Sequence, residues 1–388
     1  MGVGYLNLTP SFHRGTHSAS MEVARGYKKG SVLLSALSKI LIFIDNLANY
    51  PAMYKGLKYC ILVFILMVGC SCASPKKQPF IQDVNGRHPA DANQVWLTHE
   101  HILVDFVGAD RISPDRWRDE AVINEIVPYL EELKEFNVSY FVDATPNCLG
   151  RDVLLLQKIS NQTGIRIITN TGLYGARNNI FIPQYAKTIS AEKLAEQWIE
   201  EFENGIDGTL VKPGFIKIGI DNADPLDSIQ QKLVRAAALT HLKTGLTIAS
   251  HTGKARGLWP QLEILNELGV SPEAFIWVHA SAEDNCDDFL KAARMGCWIS
   301  FDKFGWEPEK DVDKILFAKR NGILDKILIS HDAGWYDPGK AIQSIRGYTN
   351  IFRKLWPALQ SKGFTEEEFR MLVSVNPAKA FGIRVRER

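Results

Sequence analysis

His99 and His101 stand two residues apart in the run QVWLTHEH, and a strand would turn both imidazoles to one side and Glu100 to the other. Imidazoles spaced by roughly 7 Å along a strand axis can converge on one metal ion, although the same spacing also fits a pair of structural histidines. Lys217 sits between Ile216 and Ile218 in GFIKIGI. If the isoleucines pack outward, the lysine points into an interior where an unpaired ammonium tends to lose its proton. A neutral amine can take up carbon dioxide, and the resulting carbamate is a bidentate anion able to bridge two cations; a salt-bridged lysine or a lysine base are the other readings. His251 in IASHTG and His279 in IWVHAS each end an apolar run, as ordinary core or loop histidines also do, and together they would give nitrogen ligands to a second metal. Asp332 in ILISHDAGW is suited to ligation or proton acceptance, with His331 beside it facing the other way in a supporting role.

These six positions acquire a common meaning from the elements that must carry them. From about residue 90 the chain alternates short β-rich runs with amphipathic helical segments, the pattern of an α/β fold with a parallel sheet. Eight such runs are found, at 94–101, 138–146, 165–174, 214–220, 246–252, 275–281, 297–303 and 327–335. Between them lie segments such as EAVINEIVPYLEELKEF and AEKLAEQWIEEFENG, apolar at three- and four-residue spacing. Eight strand-helix units over about 300 residues predict a (β/α)8 TIM barrel, whose site lies at the carboxyl ends of its strands. All six candidate residues fall at such ends. The first run is not followed by a glycine-rich phosphate loop, which argues against a doubly wound open sheet. Thr365 and Glu368 have the spacing of a capping box, so the last helix should start there.

Lysine plus arginine number 45 and aspartate plus glutamate 44, so no net field draws the protein to nucleic acid, and no basic stripe interleaved with aromatics is present. The six cysteines include no C-x-x-C pair, so neither a zinc knuckle nor a dithiol redox site is indicated. Cys70 has a different reading. From Met53 the chain runs through Lys55 and Lys58, an apolar stretch from Tyr59 to Val68, then Gly69 and Cys70, the plan of an export signal. A small residue before a cysteine at that place resembles a bacterial lipoprotein processing site, with Cys70 lipidated, although Met67 stands where leucine is usual. An uncleaved anchor helix is the alternative. The expected organisation is therefore an extension at 1–52 preceding a natural start at Met53, an export segment at 53–70, a linker at 71–90 and a catalytic domain at 91–388, held outside the cytoplasmic membrane by a lipid anchor or signal.

HxH on the first strand, lysine on the fourth, histidines on the fifth and sixth and aspartate on the eighth resemble the phosphotriesterase branch of the amidohydrolase superfamily. The similarity runs from Gln94 to Ile383 through TPNCLGRD, NTGLYG, PGFIKIG, IASHTG, WVHAS, LISHDAGW and NPAKAFG. The resemblance implies two divalent metals, commonly zinc: His99, His101 and Asp332 on the more buried one, His251 and His279 on the other, and carboxylated Lys217 between them. A metal-bridging hydroxide would attack the substrate, with Asp332 moving the proton. Strand seven, FDKFGWEP, is similar to the D-R-Y-G segment of phosphotriesterase-like lactonases, but Lys303 replaces the arginine and Phe304 the tyrosine. The expected activity is cleavage of a carboxylic ester or lactone, with phosphotriesters as a lesser substrate, and Tyr174, Arg177, Lys303, Trp306, Trp335 and Tyr336 are candidates for the pocket wall. The resemblance also implies a possible homodimer. The rivals are an exported phosphoesterase or amidohydrolase of another substrate class, and an envelope binding protein that kept the barrel without catalysis.

Overall fold

The computed structural model describes residues 79–304 and 308–388, which belong to a compact unit running from Gln78 to Arg388. The extension at 1–52, the export segment with Cys70, and Trp306 lie outside the described residues. Part of the expected linker does not. Phe80–Asp83 (β1) and Gly86–Pro89 (β2) form an antiparallel hairpin, with Ile81 and Val84 buried and the Val84 amide bonded to the Ile167 carbonyl. The compact unit thus includes this hairpin, which covers apolar surface at the foot of the barrel.

The barrel strands are Val95–Leu103 (β3), Val138–Asp143 (β4), Arg166–Ile168 (β5), Asn170–Thr171 (β6), Phe215–Gly219 (β7), Ile248–His251 (β8), Phe275–Val278 (β9), Trp298–Phe301 (β10), Ile327–Ile329 (β11) and Gly334–Tyr336 (β12). They pair in parallel in the orders β12-β3-β4-β5 and β6-β7-β8-β9-β10-β11. β5 and β6 are two halves of the third strand, split at Thr169, and β11 and β12 flank the turn that carries Asp332. Each half pairs with a different neighbour, so the two sheets join into one ring of eight strands, the (β/α)8 barrel.

Alternation along the strands divides the core in two. Ile216, Ile218, Ile299 and Phe301 pack outward in the cluster shared with the helices, whereas Trp96, Phe215, Ile276, Trp298 and Leu328 pack together inside. The outward cluster meets helices such as Asp119–Glu131, Ala191–Asn204 and Ser228–Thr244. Ser190 and Asp227 cap the last two by accepting from amides of their first turns. The capping box is present: the Thr365 hydroxyl accepts from the Glu368 amide, and the Thr365 amide donates to the Glu368 carboxylate. No helix among the described residues is long and apolar enough to cross a membrane.

Candidate active site

Strand alternation alone would aim His99 away from the barrel axis, because Trp96, three residues earlier, already points inward. A bulge corrects this. Between Leu97 and Glu100 the first strand takes three steps where β4 takes two, and the extra residue turns His99 and His101 into the barrel. Glu100 then faces outward and is fully buried, accepting from the Ser330 hydroxyl, the His331 and Ala333 amides and His331 Nδ1. Glu100 thus holds the amides on both sides of Asp332, while Nε2 of His331 accepts from the Ile351 amide at 2.9 Å and the ring stays out of the site.

Lys217 follows regular alternation two residues above Phe215 and is 2% exposed, with Ile216 and Ile218 outward as its sequence implies. Gly172 has φ 119°, and a Cβ there would lie 2.1 Å from the Lys217 carbonyl, so only glycine lets the third strand pass so close. His251 ends β8 on the same inward row as Ala249. His279 and Asp332 reach the site differently. Each has a positive φ, 61° and 51°, which turns His279 inward directly after the inward Val278, while Asp332 keeps the inward parity of Leu328, and such strain in non-glycine residues is typical of functional positions.

The side chains converge. His101 Nε2 lies 3.2 Å and His99 Nε2 3.8 Å from Asp332 Oδ1, while His279 Nδ1 lies 3.9 Å from Asp332 Oδ2. The His99 and His279 ring centroids are 4.9 Å apart, and those of His279 and His251 4.4 Å. Two groups of ligand atoms lie close enough together to hold an ion: His99, His101 and Asp332, and His99, His279 and Asp302.

Asp302 is the residue that strand reasoning overlooked. It is fully buried at the end of strand seven, with Oδ2 3.1 Å from His99 Nδ1 and Oδ1 2.9 Å from His279 Nδ1, and it also accepts from the His279 amide and the Ser300 hydroxyl. The signal was available, since Trp298, Ser300 and Asp302 share one inward row. Thr145 plays the corresponding part for His101, at 2.8 Å from Nδ1, and is itself fixed by Asp143.

Electrostatics favour a cation in this cluster. Burial, reinforced by Lys217, pushes the His99 imidazolium down to about 3, and burial, His279 and Lys217 hold His251 well below its usual value; both rings are neutral and able to ligate. Burial lowers Lys217 from 10.5 to about 8, against the pull of Asp302 and Asp332. Burial also opposes ionisation of Asp332 and Asp302, but the surrounding histidines outweigh it and hold both carboxyls below the ordinary range.

A cavity of about 450 Å³ opens over the cluster, lined on its apolar side by Val104, Phe106, Leu149, Tyr174 and Trp335. Tyr174, Arg177 and Trp335, expected in the wall, are there. Lys303 is exposed and Tyr336 pairs along Leu103; neither lines the cavity, because the chain turns away from the mouth at both places. Phe304, where a tyrosine was looked for, is packed in the outer core.

A model of the phosphotriesterase family matches residues 81–381, the span that builds the barrel and every residue of the cluster. The chain belongs to the phosphotriesterase family. It is 32% identical over 301 residues, 74% of this chain and 94% of the relative, to an aryldialkylphosphatase of Saccharolobus solfataricus. An N-acetyltaurine hydrolase of Rattus norvegicus is 26% identical over 274 residues, 65% of this chain and 76% of the relative. Among solved structures, a mutant organophosphorus hydrolase from Deinococcus radiodurans superposes with a TM-score of 0.71 at 25% identity, over 78% of this chain and 97% of that one. The phosphotriesterase family is one of metal-dependent hydrolases, and the imidazole and carboxylate groups found here are those a metal requires.

Proposed function

We propose that the chain is a binuclear metal-dependent hydrolase that cleaves a carboxylic ester or lactone. His99, His101 and Asp332 would hold one divalent cation, His251 and His279 the other, and Lys217 would bridge them as its carbamate. Neutral imidazoles with few carboxylates suit zinc. The observation that carries this reading is the buried Lys217, lowered to about 8, among four histidines and Asp332 beneath one cavity. An amine so shifted is partly neutral near physiological pH, and its nitrogen can add to the carbon of carbon dioxide while the departing N–H proton goes to solvent.

When bound, such a metal pair supplies Lewis acidity and lowers the pKa of water toward neutrality. The chain's own residues do the rest. Asp302 fixes the proton on Nδ1 of His99, which leaves Nε2 free as a lone-pair donor toward Asp332. Asp332 is ionised and faces the cavity, so it can take a proton from attacking water and return it to the leaving group. The apolar wall excludes bulk water and receives the acyl portion. Phosphotriester and amide cleavage draw on the same chemistry, and the aryldialkylphosphatase and the N-acetyltaurine hydrolase among the relatives favour including both in a substrate panel.

The test is metal content with a substrate ranking. Protein produced with zinc and bicarbonate should carry about two metals per chain, and a trace only would overturn the proposal. Lactones and aryl esters should lead phosphotriesters and N-acyl amides in kcat/KM; the reverse order would replace the substrate class. We also propose export with lipidation at Cys70, for which mass spectrometry of the mature protein should find an acylated N-terminal Cys70. A free N-terminus at Met1 would exclude it.

A further inference from the structure

A continuous band of rings runs along the cavity wall, with Phe181 fully buried behind the lining rings Phe106 and Tyr174. His101 meets Trp335 at 5.7 Å between centroids, Trp335 meets Phe106 at 5.6 Å, Phe106 meets Phe181 at 6.1 Å, Phe181 meets Tyr174 at 5.7 Å, and Tyr174 meets His251 at 5.0 Å. The band starts and ends on the metal-site histidines. At its middle the Arg177 guanidinium lies 4.8 Å over the Phe106 ring and lines the cavity.

Arg177 is held there by an unusual piece of backbone. Arg177, Asn178 and Asn179 have φ of 60°, 57° and 61°, three successive left-handed residues, a conformation that is strained outside glycine. Asp221 stabilises the turn: its Oδ1 accepts from the Arg177 amide at 2.8 Å and its Oδ2 from the Asn178 amide at 3.0 Å. Buried Gln230 bridges Asp221 Oδ2 and the Gly175 carbonyl. Asp221 is thus committed to amides, and among the described residues the guanidinium has a ring partner but no ion-pair partner. Lys254, which also lines the cavity, is paired with Asp284 at 3.3 Å. A fork of five donors, desolvated on one face by an aromatic ring and aimed over an apolar wall, is suited to a carboxylate or sulfonate.

We propose that Arg177 is the specificity residue for an organic anion: the substrate carries a carboxylate or sulfonate remote from its scissile carbonyl, with an apolar spacer lying on the aromatic band. This rests on the hydrolase reading above. The spacer bridges the two polar ends of the cavity, so the anion contributes to ground-state binding and its effect falls on KM more than on kcat.

The zinc-loaded protein should hydrolyse 4-nitrophenyl hydrogen adipate at least about tenfold better in kcat/KM than its neutral methyl ester, the size expected of one charge-assisted contact. Arg177→Met, which keeps the stem over Phe106, should erase that preference by raising KM for the charged ester more than for the neutral one, whereas Arg177→Lys should restore part of it. A second readout needs no turnover: hexane-1-sulfonate should raise the melting temperature of the metal-free wild type more than hexan-1-ol does, and Arg177→Met should remove the difference. Turnover of both esters without a charge preference, or a preference intact in Arg177→Met, overturns the role of Arg177 and leaves the hydrolase standing. Turnover of neither ester, with the lactones and aryl esters of the panel above equally inert, overturns the hydrolase reading, and the melting comparison then decides Arg177 alone.

Discussion

The two ends of the barrel interior are built from the same strands to opposite specifications. At the amino end the inward row is apolar: Trp96, Tyr140, Phe215, Trp298 and Leu328 fill the space, joined by Phe381 from the helix Asn376–Phe381, with Trp96 stacked 4.2 Å from Tyr140. One or two inward steps further along, the same rows carry Lys217, His251, Asp302 and Asp332. The first end is stabilised by burial of apolar area, the second only by mutual pairing of groups that would each be costly alone. The packed floor is therefore what holds the polar tier in register, and the two ends should respond differently to the same class of mutation.

The largest contrast is between neighbours on one strand. Lys217→Ala should abolish metal retention and lower activity by at least ~1000-fold, equivalent to ~4 kcal/mol of barrier, while changing stability little in the metal-free protein. Metal analysis and kcat/KM measure it, and short carboxylic acids should restore part of the activity by standing in for the carbamate. Full activity without rescue would remove the lysine from the bridging role. Phe215→Ala, two residues below, should do the reverse, costing about 3 kcal/mol or more of stability through the cavity it leaves. Denaturant unfolding should show the loss, with metal stoichiometry unchanged in the protein that remains folded.

Asp302 sharpens the comparison, because it is a buried charge whose purpose is orientation. Asp302→Asn removes the anion that holds Nδ1 of both His99 and His279, and metal affinity should fall by about 10- to 100-fold. Competitive chelation reads this directly. An unchanged affinity would mean that the backbone of β3 and of the turn after β9 suffices to orient the rings.

Much of this arrangement was legible in the sequence, and the exceptions share a cause. Period-two alternation in GFIKIGI implies the inward Lys217 that the structure shows, and strand order puts the other candidates at the carboxyl ends. Alternation fails where the backbone leaves the strand. The bulge after Leu97 that aims His99 and His101, the positive φ that aims His279, and the hairpin of residues 80–89 all depend on partners distant in sequence. Asp302 obeys the rule, on the inward row of Trp298 and Ser300. The substrate wall was least legible, since Trp335 enters it through a turn with φ 73° and Lys303 leaves it, and neither motion is written in local composition.

The smallest expected effect separates a histidine of the amino end from those above. His241 is fully buried, donates from Nδ1 to the Leu246 carbonyl and accepts the Arg386 amide at Nε2, and burial lowers its pKa from 6.5 to about 4. The folded state thus binds fewer protons than the unfolded chain between those values. The stability that neutral His241 contributes is complete above pH 6.5 and is lost as pH falls toward 4, about 2 kcal/mol of it by pH 5. His241→Gln should flatten this limb of the stability profile in the metal-free protein. A limb of the same steepness in the variant would assign the acid sensitivity to His99 and His251, whose pKa values are lowered in the same direction, and would make the site rather than the floor the first part of the barrel to yield in acid.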